Sequence, residues 1–156
     1  MLKKIISTLL LVSALFTPAW GQEKEVEPVV VTATRLEQPL SQVSESMTVI
    51  TEEEIIRSQA KTVGEILRRV PGVDVQRSGT LGKLTTVRIR GAQSDQTLIM
   101  LDSVRINNPF DQLTDFTNIN LDNVERIEVI RGGESALYGS EAVGGVINII
   151  TQKGKG

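Results

Sequence analysis

Residues 124–151 read VERIEVIRGGESALYGSEAVGGVINIIT. The run at 124–130 is rich in Val and Ile and predicts a β-strand. A second run at 146–150, led in by Gly144 and Gly145, predicts a last strand. Between them, Ser135 caps one predicted helical turn that reaches Tyr138. Strand, short helical turn and strand in close succession point to a mixed α/β domain.

The pattern continues upstream. Residues 47–50 predict a short strand, followed by Thr51-Glu52-Glu53-Glu54, which is a capping box for a helix running to about Ala60. Thr62-Val63-Gly64-Glu65 repeats the device before Ile66, Leu67 and Val70, and Pro71-Gly72 stops that second helix. The period then changes to two. Val73 and Val75 alternate with Asp74 and Gln76. Beyond a glycine-punctuated loop at 77–84, Val87 and Ile89 alternate with Arg88 and Arg90. Residues 97–101 form a continuous apolar run, as expected of a strand covered on both faces. Asp102-Ser103 predicts a tight turn into Val104-Arg105-Ile106, and 107–118 is a long polar loop that contains Pro109, Phe110 and Phe116. One echo stands out: Ile89-Arg90-Gly91 and Ile130-Arg131-Gly132 both end a strand with Arg followed by Gly.

Composition narrows the function. The chain has 156 residues, a formal net charge of -2 and 3% aromatic residues, with neither Cys nor His. That removes disulfides, thiol nucleophiles, imidazole acid–base chemistry and the common zinc ligand sets. No basic excess points to nucleic acid. Nor does the chain supply the aromatic girdles and many ten-residue strands of a membrane barrel. No catalytic or metal-ligating set is predicted and no cofactor is implied. Asp111 and Asp115 are too few to claim a calcium site. Glu52-Glu53-Glu54 is better explained as a helix N-terminus that favours negative charge than as hydrolytic carboxylates.

The beginning of the chain predicts export. Lys3 and Lys4 precede an apolar run at 5–16, and Ala19-Trp20-Gly21 offers small residues two apart, so cleavage before Gln22 is expected. The run falls short of the ~20 residues a membrane-spanning helix needs. The expected division is a signal peptide at 1–21, a strand-prone box and flexible linker at 22–46, an α/β domain at 47–152 and a linker from 153 to 156. Within 22–46, β-branched Val29, Val30, Val31 and Thr32 sit between polar, structure-poor flanks.

Several motifs occur in order along the chain. Val30-Val31-Thr32-Ala33, Val87-Arg88-Ile89-Arg90-Gly91, Leu101-Asp102 and Val104-Arg105-Ile106-Asn107 come first. Ile127-Glu128-Val129-Ile130-Arg131-Gly132, Ser135-Ala136-Leu137-Tyr138-Gly139-Ser140 and the 144–151 stretch follow. Together they resemble the plug domain of TonB-dependent outer-membrane receptors, nearest to the cobalamin-receptor branch. The resemblance implies an α/β plug with a mixed central β-sheet, short helices and long apical loops. It would close a barrel of roughly 22 strands that this chain does not contain.

The resemblance also assigns roles. Glu27, Pro28, Val29, Val30, Val31, Thr32 and Ala33 correspond to the TonB box, which adds a strand to the TonB C-terminal domain. An ordinary edge strand is the plainer alternative. Arg90 and Arg131 match arginines that face carboxylates of the barrel wall; a solvated strand face is the other reading. Arg77, Ser78, Thr80, Asn107, Asn108, Phe110 and Asp111 match apical loops that face the transported small molecule, although loops are also polar simply because they are loops. Two positions depart from the family: Ser103, where Gly usually follows the Asp, and Gly133, where Pro is frequent. Ser103 would be strained if its turn needs positive φ. The implied function is gating and ligand sensing in an outer-membrane transporter for a scarce nutrient such as cobalamin or an iron–siderophore complex. The chain would lie in the cell outer membrane as part of a full-length receptor, or in the periplasm if it is truly this short. A stand-alone periplasmic module that engages TonB or ligand without transport is the alternative, and a small secreted enzyme is the weakest reading.

Overall fold

A computed structural model describes residues 29–30, 38–39, 46–80, 82–133 and 138–152. The expected signal peptide, five of the seven TonB-box residues (27, 28 and 31–33), the helical turn at 135–137 and the tail from 153 lie outside the described residues. In chain order the elements are β1 (Val29–Val30), β2 (Gln38–Pro39), β3 (Ser46–Thr51), α1 (Glu52–Ser58), α2 (Val63–Leu67), β4 (Val73–Arg77) and β5 (Thr85–Ile89). There follow β6 (Thr97–Leu101), β7 (Val104–Arg105), β8 (Val124–Arg131) and β9 (Gly145–Thr151). Single 3-10 turns at Ser94–Gln96 and Ser140–Ala142 complete the set.

Local chemistry fixes the helix starts. Thr51 Oγ1 accepts from the Glu54 amide at 3.4 Å, and Glu54 Oε2 accepts from the Thr51 amide at 3.0 Å, which closes the expected capping box. Gln59 turns into the left-handed region at φ 56, so α1 stops just short of Ala60. Before α2, Thr62 Oγ1 accepts from the Glu65 amide at 3.3 Å, but Glu65 Oε2 reaches one residue further back, to the Lys61 amide at 2.8 Å. That backbone bond from Lys61 leads the causes that hold the Glu65 carboxyl below its ordinary pKa. Helix α2 ends at Leu67, earlier than Pro71-Gly72 suggests. Its last turn tightens to bonds three residues apart, from Arg69 to Ile66 and from Val70 to Leu67.

The main sheet has the order β3-β8-β9-β6-β7. Strands β6 and β9 are parallel and the other pairs are antiparallel, so the sheet is mixed as expected. One face carries Ile50, Ile99, Ile127, Val129, Ile147 and Ile149, which pack with α1, α2 and the β4–β5 hairpin in one buried cluster. The opposite face gathers Leu98, Met100, Ile130 and Val146 around Ala142. Cover on both faces explains the unbroken apolar run of β6. The β4–β5 pair forms a separate two-stranded sheet, a division the alternation pattern does not reveal.

Two features of the core were not legible in the sequence. Phe116 leaves the polar loop and is 1% exposed within the main cluster. Glu128 is fully buried in β8, with Arg126 Nε donating to its Oε1 at 2.9 Å. A charge so placed needs this kind of pairing, since lone burial would cost several kcal/mol or more.

The Asp102-Ser103 turn resolves the expected strain. Asp102 and Ser103 adopt φ 49 and φ 67, the two left-handed positions of a type I′ hairpin turn. Both are held from β9. Asp102 accepts from the Thr151 amide at 2.8 Å and from its hydroxyl at 2.7 Å, and the Ser103 amide donates to Asn148 Oδ1 at 3.1 Å. Asp tolerates this region better than Ser does. Ser103→Gly is therefore expected to raise stability by about 0.5–1 kcal/mol, seen as a higher urea midpoint at unchanged slope. A lower midpoint would show that the turn carries no strain.

Candidate functional site

The Arg-Gly echo becomes a spatial pair. Arg90 directly follows β5 at φ 50 and its amide donates to the Gly72 carbonyl at 2.8 Å. Arg131 ends β8, and its Nη1 donates to Thr48 Oγ1 at 2.7 Å and to the Pro71 carbonyl at 3.3 Å. Both side chains lie over Gly72. A Cβ placed there would stand 3.4 Å from Arg131 Cδ and 3.8 Å from Arg90 Cγ. Gly72 itself has φ +79, a conformation that favours glycine. Partial burial, and then the Arg90 charge, push the Arg131 guanidinium pKa down. Two cations crowded on one seat are relieved by an anion between them, and a carboxylate fits a guanidinium in two-point fashion.

The loop residues divide in two. Arg77, Ser78 and Asp111 line one open recess of about 560 Å³, together with Gln76, Arg88 and Leu113. Arg88 was not singled out in the sequence. It is half-buried beside this recess, and its Nε has no hydrogen-bond partner among the described residues. Its place between Val87 and Ile89 on an alternating strand was the available signal. Thr80, Asn108 and Phe110 are exposed on the same loops but do not line the recess; Phe110 is 96% exposed.

Asn107 does a different job. It is buried, and its side chain accepts from the Ile99 amide at 2.8 Å while donating to the Thr97 and Gln112 carbonyls at 3.1 and 2.8 Å. It therefore clamps the long loop to β6. Asp115 works similarly from the surface. Burial alone would raise its pKa, but bonds from the Thr117 hydroxyl and from the Thr85 and Thr117 amides outweigh that and hold it low. Asp111 spends Oδ1 on the Leu113 amide at 3.1 Å. Among the described residues no three acidic groups gather to hold a metal ion.

Of the strand-prone N-terminal box, Val29 and Val30 are described. They pair antiparallel with Pro39 and Gln38. Pro39 has no amide hydrogen and cannot donate in this pairing, so the hairpin is weak by construction.

Against families of known proteins, residues 39–146 match the TonB-dependent receptor plug domain. The chain belongs to that family. The chain is 48% identical over 131 residues to the vitamin B12 transporter BtuB of Photobacterium profundum, a span that covers 84% of this chain and 22% of the relative. Among solved structures it is similar to a mutant ferric enterobactin receptor, PfeA, of Pseudomonas aeruginosa in complex with enterobactin, with 32% identity and TM-score 0.55. That match covers 70% of this chain and 18% of the receptor. The ferric yersiniabactin uptake receptor FyuA of Yersinia pestis gives 29% identity and TM-score 0.55 over 70% of this chain and 17% of that one. These relatives are transporters and receptors, and the plug spans about a fifth of their length. The plug's mixed sheet and short helices thus match both the family and the sequence expectation.

Proposed function

We propose that this plug gates an outer-membrane transporter for a scarce nutrient, cobalamin or an iron–siderophore complex, and couples to TonB by strand addition. The observation that carries this reading is the convergence of Arg90 and Arg131 over Gly72. Two strand ends, far apart in sequence, deliver a paired cationic receptor for carboxylates. Such carboxylates would come from the wall of a surrounding barrel, and a cluster of charge-assisted bonds would hold the plug in place yet break one by one. The recess lined by Arg77, Ser78, Arg88 and Asp111 supplies polar groups for the transported molecule, and the nearby Phe110 supplies an exposed aromatic face. The vitamin B12 transporter similarity favours cobalamin among the candidate ligands. Residues 1–21 would direct export and then be removed.

Coupling is assigned to residues 27–33. Their β-branched run offers a backbone ladder to the sheet of the TonB C-terminal domain. Among the described residues, a weak two-residue hairpin with Gln38 and Pro39 competes for Val29 and Val30. Val30→Pro removes one ladder donor and misfits the strand, and is expected to abolish TonB binding in a calorimetric titration while leaving the thermal midpoint of the domain unchanged. Equal affinity in the variant and the wild type would rule out strand addition.

A further inference from the structure

We propose that Thr48 is a positioning residue for the arginine pair and ties Arg131 to β3, the first strand of the main sheet. This rests on the reading of Arg90 and Arg131 as a carboxylate receptor. Thr48 lies in the middle of β3, which among the described residues is an edge of the main sheet, hydrogen-bonded there to β8. In the β3–β8 register Thr48 stands opposite Val129, and Ser46, at the end nearer the coupling segment, stands opposite Arg131 itself. The Thr48 hydroxyl oxygen accepts from Arg131 Nη1 at 2.7 Å, and the Pro71 carbonyl accepts from the same nitrogen at 3.3 Å.

These two acceptors come from different elements. One belongs to β3, the other to the turn after α2. Together with the Gly72 seat under Cδ, they fix the Arg131 guanidinium next to Arg90. A β-branched threonine on a strand has few rotamers, so its hydroxyl is a stiff acceptor. Its position makes the pair sensitive to β3. When β3 peels from β8, Arg131 loses its Ser46 pairing and the Thr48 acceptor but keeps its pairing with Gly145 of β9, and the hydrogen bonding among β9, β6 and β7 is untouched. Thr48 thereby links order in the first strand of the main sheet to the geometry of the receptor on β8.

The test uses the 156-residue chain with glutarate as a soluble dicarboxylate probe at low ionic strength. The guanidinium Nε–H signals of Arg90 and Arg131 are followed by NMR in the wild type, Thr48→Val and Thr48→Ser. Valine keeps the shape and strand preference of threonine but has no acceptor; serine keeps the acceptor. The expected result is saturable shifts of both arginines in the wild type, a roughly fivefold weaker apparent affinity in Thr48→Val and recovery in Thr48→Ser. Amide exchange in β3 serves as the structural control and is expected to match in all three. Equal glutarate affinity in the wild type and Thr48→Val would overturn the role of Thr48 while leaving the receptor reading intact. No response of either arginine to glutarate in the wild type would overturn both.

Discussion

Phe116→Ala lowers the stability of the domain by about 3–5 kcal/mol, measured by urea unfolding. A typical domain has only about 5–15 kcal/mol in total, so the variant is expected to lose a large share of it. The reason is specific. Phe116 is 1% exposed and is among the largest fully buried side chains of the core. Its amide donates to the Thr85 carbonyl at 2.8 Å, a bond that alanine keeps, so the cost falls on the packing of the side chain. It also sits against α2, where a Cβ on Gly64 would stand 3.5 Å from Phe116 Cβ. The void left by the ring is what costs stability. A loss under about 1 kcal/mol would mean that the loop is not anchored there.

Gly145→Ala is expected to be more severe and to prevent accumulation of the folded domain. Gly145 opens β9 at φ +146, and a Cβ there would lie 2.2 Å from the Ile130 carbonyl oxygen and 3.0 Å from Ile89 Cδ1. The first of these is backbone of the neighbouring strand, in the pair that joins β8 to β9 next to Arg131. It cannot swing aside as a side chain would. Relief requires separating β8 from β9 at the centre of the sheet, at a cost of roughly 4 kcal/mol or more. Soluble, cooperatively unfolding Gly145→Ala protein with a wild-type midpoint would contradict the pairing of Gly145 with Arg131.

Much of this was legible in the sequence, for identifiable reasons. Capping residues act within a few positions of one another, so Thr51 with Glu54 and Thr62 with Glu65 marked the helix starts. Strand alternation is equally local and placed β4 and β5. The Arg-Gly echo was visible too, but its meaning lies in Gly72, which neither motif contains. What stayed hidden depends on contacts between distant segments. Phe116 and Asn107 sit in a loop without periodicity, and nothing nearby shows that one fills the core and the other clamps β6. Thr48 looks like any strand threonine until β8 is laid beside it. Ser103 is the reverse case: a residue at odds with the family pattern signalled strain at a turn, and its φ of 67 bears that out.

On the proposed function, this plug engages TonB through its N-terminal strand. The most direct measurement is an amide NMR titration of the isotope-labelled chain with the TonB C-terminal domain. Weak, saturable shifts are predicted, concentrated on the amides of residues 27–33, with the signals of β3 to β9 largely unmoved. Absence of any shift at 27–33, or shifts confined to the folded domain, would contradict the claim.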